Sequence, residues 1–158
     1  MFARYFVELP LEADRVERAL LREPQEWVPG LASKANHHGD ALLAEVGFGG
    51  EVRLERKVAI EFGEAVRMPS KTVLPIRWSA TGPSGLFPAL EADLEVAPLG
   101  HHTQLAMSAR YVPPLGAVGR AIDRAVLFRV AEATLKDFLD RVSEALIRAE
   151  ANGTAASA

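Results

Sequence analysis

The sequence contains no cysteine in its 158 residues, which excludes disulfide bonds and thiolate chemistry. A chain without disulfides suits a reducing compartment, and we therefore predict a cytoplasmic protein. No stretch approaches the ~20 consecutive apolar residues of a membrane-spanning helix, so we expect no integral membrane segment. The first residues also lack the pattern of a signal peptide, because Arg4 and Glu8 interrupt the apolar run.

Charge of one sign is nowhere concentrated. The chain has 18 Lys and Arg against 21 Asp and Glu, a net charge of -3, and its basic residues are scattered, so we expect no nucleic-acid partner. The histidine pairs His37-His38 and His101-His102 fall in predicted loops without a His-Glu-x-x-His spacing, so we predict no metal site and no cofactor. No serine has a nucleophile-elbow context, and the sequence identifies no catalytic residue.

The last long stretch, Leu115 to Arg148, has the apolar spacing of a helix of roughly 30 residues, or about 50 Å at 1.5 Å per residue. A helix this long in a chain this short is expected to lie along a sheet and to cover its apolar side. In the C-terminal half of the helix, the apolar residues share one side, as in a helix packed on a core. These residues are Ala131, Leu135, Phe138, Leu139, Val142 and Leu146.

The N-terminal half of the same helix carries a second apolar row, formed by Val118, Ile122, Val126 and Val130. Two interpretations stay open. The helix bends, so that both apolar rows face one curved surface, or the second row meets a lid or another subunit. The second interpretation allows a homodimer through the C-terminal helix.

Everything before this helix is predicted as one strand, two short helices and a run of about six strands. Phe2 to Leu9 alternates like a first strand, and Asp14 with Glu17 forms a capping box for the first helix. The second helix begins at Pro24 and is predicted to end near Pro29, with a loop over residues 36–40. The predicted strands that follow are Ala41–Phe48, Val52–Phe62, Ala65–Leu74 with a break at Pro69, Ile76–Thr81, Phe87–Ala97 and Thr103–Val112.

Alternation along these strands predicts a sheet with one apolar face, and the short turns between them predict antiparallel pairing. On the last strand but one, Glu91, Asp93 and Glu95 point outward and are expected to form a solvated face, with Arg77 paired to one of them. The order of elements indicates an α+β fold in a single domain, residues 1–150, followed by a disordered tail, residues 151–158.

The chain resembles a known family in the order of its elements and in the local sequence of several segments. These segments are Val73–Ala80, Gly85–Pro88, Leu94–Gly100 and Tyr111–Gly116. The chain is similar to the SRPBCC superfamily, which includes START and birch-pollen-allergen proteins, and within it to an actinobacterial-type, polyketide-cyclase-like branch. The likeness extends over residues 2–148. It implies a helix-grip fold, in which a curved antiparallel sheet of about six or seven strands wraps round a long C-terminal helix.

The same resemblance implies a deep cavity between the sheet and the C-terminal helix. Members of the superfamily bind lipids, sterols, polyketides or other apolar molecules there, and some are cyclases or dehydratases whereas others only carry ligands. The superfamily shares no single catalytic motif, so no catalytic residue is assigned by resemblance. A fold of this kind does not by itself fix an activity.

Arg56 is the most informative anomaly in the strand pattern, because it interrupts the apolar face of the strand Val52–Phe62. A buried charge is costly unless it is paired. Either Arg56 binds a carboxylate or hydroxyl of the ligand, or it reaches the rim or an acid such as Glu45. The other candidates lie on inward faces of later strands or on the long helix, where the alternative is an ordinary core. The predicted ligand-binding residues are Arg56, Trp78, Leu90, Met107, Tyr111, Ile122 and Phe128.

The sequence thus predicts a protein that binds a small hydrophobic molecule, of the lipid, polyketide or aromatic class, in a cavity between sheet and helix. An enzyme of the cyclase or aromatase kind is the first alternative, but no inward pair of Asp, Glu or His supports acid–base chemistry. A non-catalytic protein that dimerises through the C-terminal helix is the second alternative.

Overall fold

The computed structural model describes residues 2–45, 58–80, 90–111 and 124–156. Over these residues the chain forms a two-layer α+β structure, with three helices on one face of a six-stranded antiparallel sheet. The elements are β1 (Phe2–Leu9), α1 (Ala13–Leu21), α2 (Pro24–Glu45), β2 (Val58–Phe62), β3 (Val66–Arg67), β4 (Thr72–Ala80), β5 (Leu90–Leu99), β6 (His102–Tyr111) and α3 (Arg124–Ala156).

The sheet has the strand order β1-β6-β5-β4-β2, with β3 paired to β4 beyond the end of β2. Every pair is antiparallel. This confirms the predicted α+β fold, with an antiparallel sheet, two helices after the first strand and a long terminal helix. None of the helices in the described ranges is long and apolar enough to cross a membrane.

The alternation predicted for the strands is confirmed by burial. In β5, Leu90, Ala92 and Leu94 are buried whereas Glu91 and Asp93 are exposed. Because successive side chains of a strand point to opposite faces, the buried set defines the inner face, towards the helices. The outer face carries most of the charged residues of the sheet.

The helices cover the inner face side by side. α3 lies against β1 and β6, and α2 packs between α3 and β2, while α1 closes one end against β5 and β6. The predicted stripe of α3 is confirmed, since Leu135, Phe138, Leu139, Val142 and Leu146 are all at most 1% exposed. The helix continues to Ala156, so residues 151–156, assigned to the tail from the sequence, are helical.

The second helix is longer than the sequence predicted. α2 passes through Pro29 and runs to Glu45. The predicted helix end near Pro29 and the predicted loop at 36–40 are therefore wrong. The first part of the predicted strand Ala41–Phe48 is also wrong, because residues 41–45 are helical. Pro29 removes one intrahelical hydrogen bond. Burial outweighs this loss, because Val28, Ala32 and Ala35 are completely covered at helical spacing.

β4 runs unbroken through Pro75, where the sequence predicted two strands. The backbone N and O of one strand residue point to the same side, and Pro75 O accepts a hydrogen bond from Gly63 N at 2.8 Å. The missing N–H of Pro75 therefore faces Gly63, just beyond the end of β2, where the sheet loses little. A Cβ at Gly63 would lie only 3.0 Å from the Cβ of Pro75, so this close approach favours glycine.

Candidate functional site

The register brings three predicted ligand-binding positions together on the inner face. Trp78 of β4 pairs with Leu90 of β5, which pairs with Tyr111 of β6, and Ile60 of β2 continues the row on the other side of Trp78. Side chains directly opposite each other in antiparallel strands are about 5 Å apart at Cβ. Trp78 and Leu90 are buried but keep 3% and 6% of their surface accessible. This first row lies near the end of the sheet from which the chain continues towards α3.

The second row of the inner face consists mainly of alanine. Ile76 pairs with Ala92, Ala92 with Ala109, and Ala109 with Ala3, across four adjacent strands. The alanine row (Ala92, Ala109 and Ala3) spans about 10 Å across three strands spaced by about 4.8 Å. Its methyl groups rise far less from the sheet than the indole of Trp78 in the first row. Along this row, the inner surface of the sheet therefore rises less towards the helices than along the rows of larger side chains.

The third row carries large side chains on four adjacent strands. Leu74 pairs with Leu94, Leu94 with Met107, and Met107 with Tyr5. Leu94 and Met107 have no accessible surface. Met107, predicted as a ligand-binding residue, thus lies among large side chains of the core, one row beyond the alanine row.

The small exposure of the buried side chains of α3 decreases along the helix. Leu127 and Ala131, near its beginning, are 4% and 8% exposed, whereas Phe138 is fully buried. Phe128 is partly buried and packs against the core. Phe138 meets Trp78 edge-to-face, with ring centroids 5.4 Å apart and an angle of 73° between the planes. This pair connects α3 to β4 of the sheet.

Two of the predicted ligand-binding residues, Arg56 and Ile122, lie outside the described residues, and so does Val118. The side chain of Glu45, the acid suggested as a partner of Arg56, is also outside the described part of the structure. Their proposed roles stay predictions. Tyr111 is placed by its backbone, beside Leu90. The structure therefore brings Trp78, Leu90 and Tyr111 into one row. Met107 lies two rows away, and Phe128 packs against the core from α3.

Sequence reasoning missed the contribution of α2 to this region, because it placed a loop where the helix continues. Asn36 is a buried polar residue on α2, with 5% of its surface accessible. The Ser33 hydroxyl donates to Pro29 O at 2.9 Å and accepts from Val58 N at 3.2 Å, which ties α2 to the first residue of β2. The spacing of Val28, Ala32 and Ala35 was the signal that could have revealed the longer helix.

The outer face of the sheet differs from the expected solvated face at one acid. Glu95 is only 8% exposed, and its carboxylate accepts hydrogen bonds from Lys71 Nζ at 2.9 Å, Ser108 Oγ at 3.2 Å and Arg4 Nη2 at 3.4 Å. Burial alone would raise the pKa of Glu95, but the hydrogen bond and charge of Lys71 and the charge of Arg4 lower it overall. The carboxyl is thereby held in its charged form.

The remaining charges described on this face are ordinary surface charges. Arg77 donates to Glu91 at 2.9 Å, as predicted, and both side chains are about 60% exposed.

The hydrogen bond and charge of Asp140, with a smaller effect of Tyr5, raise the pKa of Lys136 on α3. Within the described ranges, no group of three or more His, Asp or Glu side chains is arranged to hold a metal ion.

Comparison with known proteins agrees with this geometry at the level of fold. Neither a protein-family model nor a curated protein sequence matches the chain. TTHA0849 from Thermus thermophilus is similar with a TM-score of 0.52 and 15% identity, covering 94% of this chain and 99% of that one. Ara h 8.0201 is similar with a TM-score of 0.50 and 9% identity, covering 94% and 98%. The chain has the helix-grip fold that these structures share.

A third structure, Zhui aromatase/cyclase from Streptomyces sp. R1128, is similar with a TM-score of 0.49 and 14% identity, covering 94% of each chain. All three identities are too low to carry an activity from one protein to another. For this helix-grip protein, the interior between the sheet and the helices is the part of the structure that bears on function.

Proposed function

We propose that this helix-grip protein binds a small hydrophobic molecule between the sheet and α3, at the end where α3 begins. The observation that carries the proposal is the alanine row, because three small side chains lie side by side on the inner face between rows of large ones. Small residues at the centre of a two-layer interface leave room that a ligand can fill.

The walls of this region are apolar, so burial would supply most of the affinity. Trp78 and Leu90 stand on the sheet and Leu127 on α3, and each is buried with a few per cent of its surface accessible. Burial of apolar surface contributes about 25 cal/mol per Å². The predicted Arg56 contact would then orient a polar group of the ligand, and it remains part of this proposal. The cyclase and dimer alternatives stay predictions from the sequence.

Replacing Ala109 with phenylalanine tests the proposal directly, because Ala109 lies at the middle of the alanine row and is 1% exposed. The probe is the apolar fluorophore N-phenyl-1-naphthylamine, whose emission rises on entry into an apolar site. We expect saturable binding to the wild-type protein and at least tenfold weaker binding to Ala109→Phe, with the melting temperature preserved because the new ring fills existing space.

Ala97→Phe is the matched control, since Ala97 lies on the outer face of the sheet, opposite Gln104. It should bind the probe like the wild-type protein. Two results would contradict the proposal. One is equal binding by Ala109→Phe and wild type. The other is a loss of about 1–3 kcal/mol in the free energy of unfolding of Ala109→Phe, the cost of overpacking a filled core.

A further inference from the structure

We infer that two copies of this chain pair through the free edge of β1, so that their sheets join into one antiparallel sheet across a twofold axis. The inference goes beyond the proposed function and does not depend on it. It is carried by the uncovered edge of β1, by the exposed aromatic side chains on that strand, and by the match of its charges in one register.

The edge of β1 is open on the side away from β6. Among the described strands, β1 pairs with β6 alone. At the opposite edge of the sheet, α2 lies against β2, and Val58 N donates to the Ser33 hydroxyl. At the β1 edge, an open cleft of about 380 Å³ lies between residues 3–5 of β1 and residues 129–136 of α3. An uncovered edge of this kind is a template for pairing with a strand of another chain.

The outer face of β1 exposes large apolar side chains. Phe2 and Phe6 are 61% and 54% exposed. Arg4 and Glu8 alternate with them on the same face and are exposed as well. Edge strands that stay single are commonly protected by a lysine, a proline or a bulge near their middle. In β1 this position is Phe6, so the strand has no such protection.

A twofold axis at Phe6 places complementary side chains opposite each other. Such an axis, between antiparallel copies of one strand, passes between a residue and its own copy. With the axis at Phe6, this ring faces Phe6 of the second copy, and Arg4 faces Glu8 on both sides of the axis. On the inner face, Tyr5 then faces Val7. Aromatic pairs, aromatic pairs with β-branched residues, and opposite charges are all favourable across antiparallel strands.

The other registers centred in β1 lose this match. With the axis at Arg4, two like charges would face each other. With the axis at Tyr5, Arg4 would face Phe6, and with the axis at Val7, Phe6 would face Glu8. Like charges directly opposite each other are unfavourable, and a charge opposite a phenyl ring gains no ion pair. The residues of β1 therefore favour the register centred on Phe6.

The small size of this contact sets the strength of the dimer. β1 has eight residues, and one pair of such strands makes an interface below the about 1,200 Å² that marks weak and transient complexes. We therefore expect a dimer that forms at high protein concentration and dissociates on dilution.

The first measurement is sedimentation equilibrium of the full-length protein from micromolar to millimolar concentration. We expect a reversible monomer–dimer equilibrium. Phe6→Lys would place two ammonium groups opposite each other at the axis and should weaken dimerisation at least tenfold. Val66→Lys is the matched control, because Val66 is also exposed, at 47%, but lies on β3. It should dimerise like the wild-type protein.

Cysteine crosslinking tests the register, since the chain has no cysteine of its own. In Phe6→Cys, the two Cβ atoms would lie about 5 Å apart, close enough for a disulfide bond after a small adjustment. Glu8→Cys is the control, because Glu8 faces Arg4 of the second copy and lies about 13 Å from its own counterpart along the strands. Under mild oxidation, we expect Phe6→Cys to crosslink at least tenfold faster than Glu8→Cys.

Three results would overturn the inference. These are a monomer at every concentration, a dimer that Phe6→Lys leaves intact, and equal crosslinking of the two cysteine variants. Melting temperatures check that the variants are folded, and Glu8→Lys, which would place like charges opposite each other, repeats the test at a second exposed position. Binding of N-phenyl-1-naphthylamine is measured separately, so failure of the proposed function and failure of this inference are distinguishable.

Discussion

Replacing Gly39 with alanine would test how closely α2 and α3 pack against each other in the helical layer. Gly39 is buried on α2, and a Cβ built at this position would overlap the hydroxyl oxygen of Thr134 on α3. The Thr134 hydroxyl is not free to turn away without loss, because it donates to Val130 O at 2.8 Å. One added methyl group must therefore displace the Thr134 hydroxyl, which weakens this hydrogen bond and pushes the helices apart.

The magnitude follows from three opposing effects. Alanine in place of glycine within a helix is favourable by about 0.8–1 kcal/mol. Overpacking typically costs about 1–3 kcal/mol, and loss of the Thr134 hydrogen bond costs about 0.5–1.5 kcal/mol. When the two costs are added and the gain is subtracted, we expect Gly39→Ala to lower the free energy of unfolding by about 0.5–3.5 kcal/mol, measured by urea denaturation.

Two further variants make the test specific. Gly30 lies on the same helix, and a Cβ there would have no atom within 4 Å, so Gly30→Ala should stabilise the protein. In a Thr134→Ala background, Gly39→Ala should lose most of its penalty, because the Cβ of residue 134 lies an ordinary 3.5 Å from the new Cβ. Equal effects of Gly39→Ala and Gly30→Ala would refute the close contact between α2 and α3.

Two other predictions concern polar contacts that hold the layers and strands in place. Glu95→Gln should cost about 1–3 kcal/mol at neutral pH, since hydrogen bonds to a charged group are lost. Because the pKa of Glu95 is lowered in the folded state, its contribution is present above the unfolded pKa and is lost as the pH falls through the folded pKa. Urea denaturation from pH 7 to pH 3 should show a smaller acid-induced loss in Glu95→Gln than in the wild type, and parallel losses would count against the charged network. Ser33→Ala should cost about 1–2 kcal/mol and speed hydrogen exchange at the Val58 amide, which donates to the Ser33 hydroxyl. Ser143→Ala is its control, because the Ser143 hydroxyl donates to Asp140 O within the same helix, and equal costs for both serines would argue against the α2–β2 link.

The parts of the fold that local periodicity specifies could be predicted from the sequence. Leu90, Ala92 and Leu94 alternate with Glu91 and Asp93, and one face of the strand is buried as this pattern requires. The buried stripe of α3 is set in the same way by its helical spacing. In both cases the physical cause of burial lies within a few residues of the pattern that reports it.

The end of α2 could not be predicted by the same local rules, because Pro29 and the glycine that follows it are strong local signals for a helix end. What overrides them is burial of Val28, Ala32 and Ala35 against other elements, which is a tertiary effect. Glu95 is a similar case. Its alternation places it on the outer face correctly, but Lys71 and Arg4 come from other parts of the chain and cover it.

The candidate site depends on register between strands that are distant in sequence. Alternation shows that Ala3, Ala92 and Ala109 point inward, but only pairing of β1 with β6 and of β6 with β5 places them side by side. A shift of two residues in either pairing would keep every face and would break the alanine row. The sequence therefore predicts which faces of the strands line the interior, but it does not predict where small side chains come together on them.

Small residues have opposite consequences in the two layers of this fold. On α2, buried Ala35 and Gly39 allow the helix to approach α3 closely, so their small size removes space. On the sheet, the alanine row faces the helical layer, and the proposed site depends on the space that such small side chains leave. The proposed site therefore requires both the close α2–α3 contact and the alanine row. If the proposal holds, Gly39→Ala should weaken binding of N-phenyl-1-naphthylamine as well as stability.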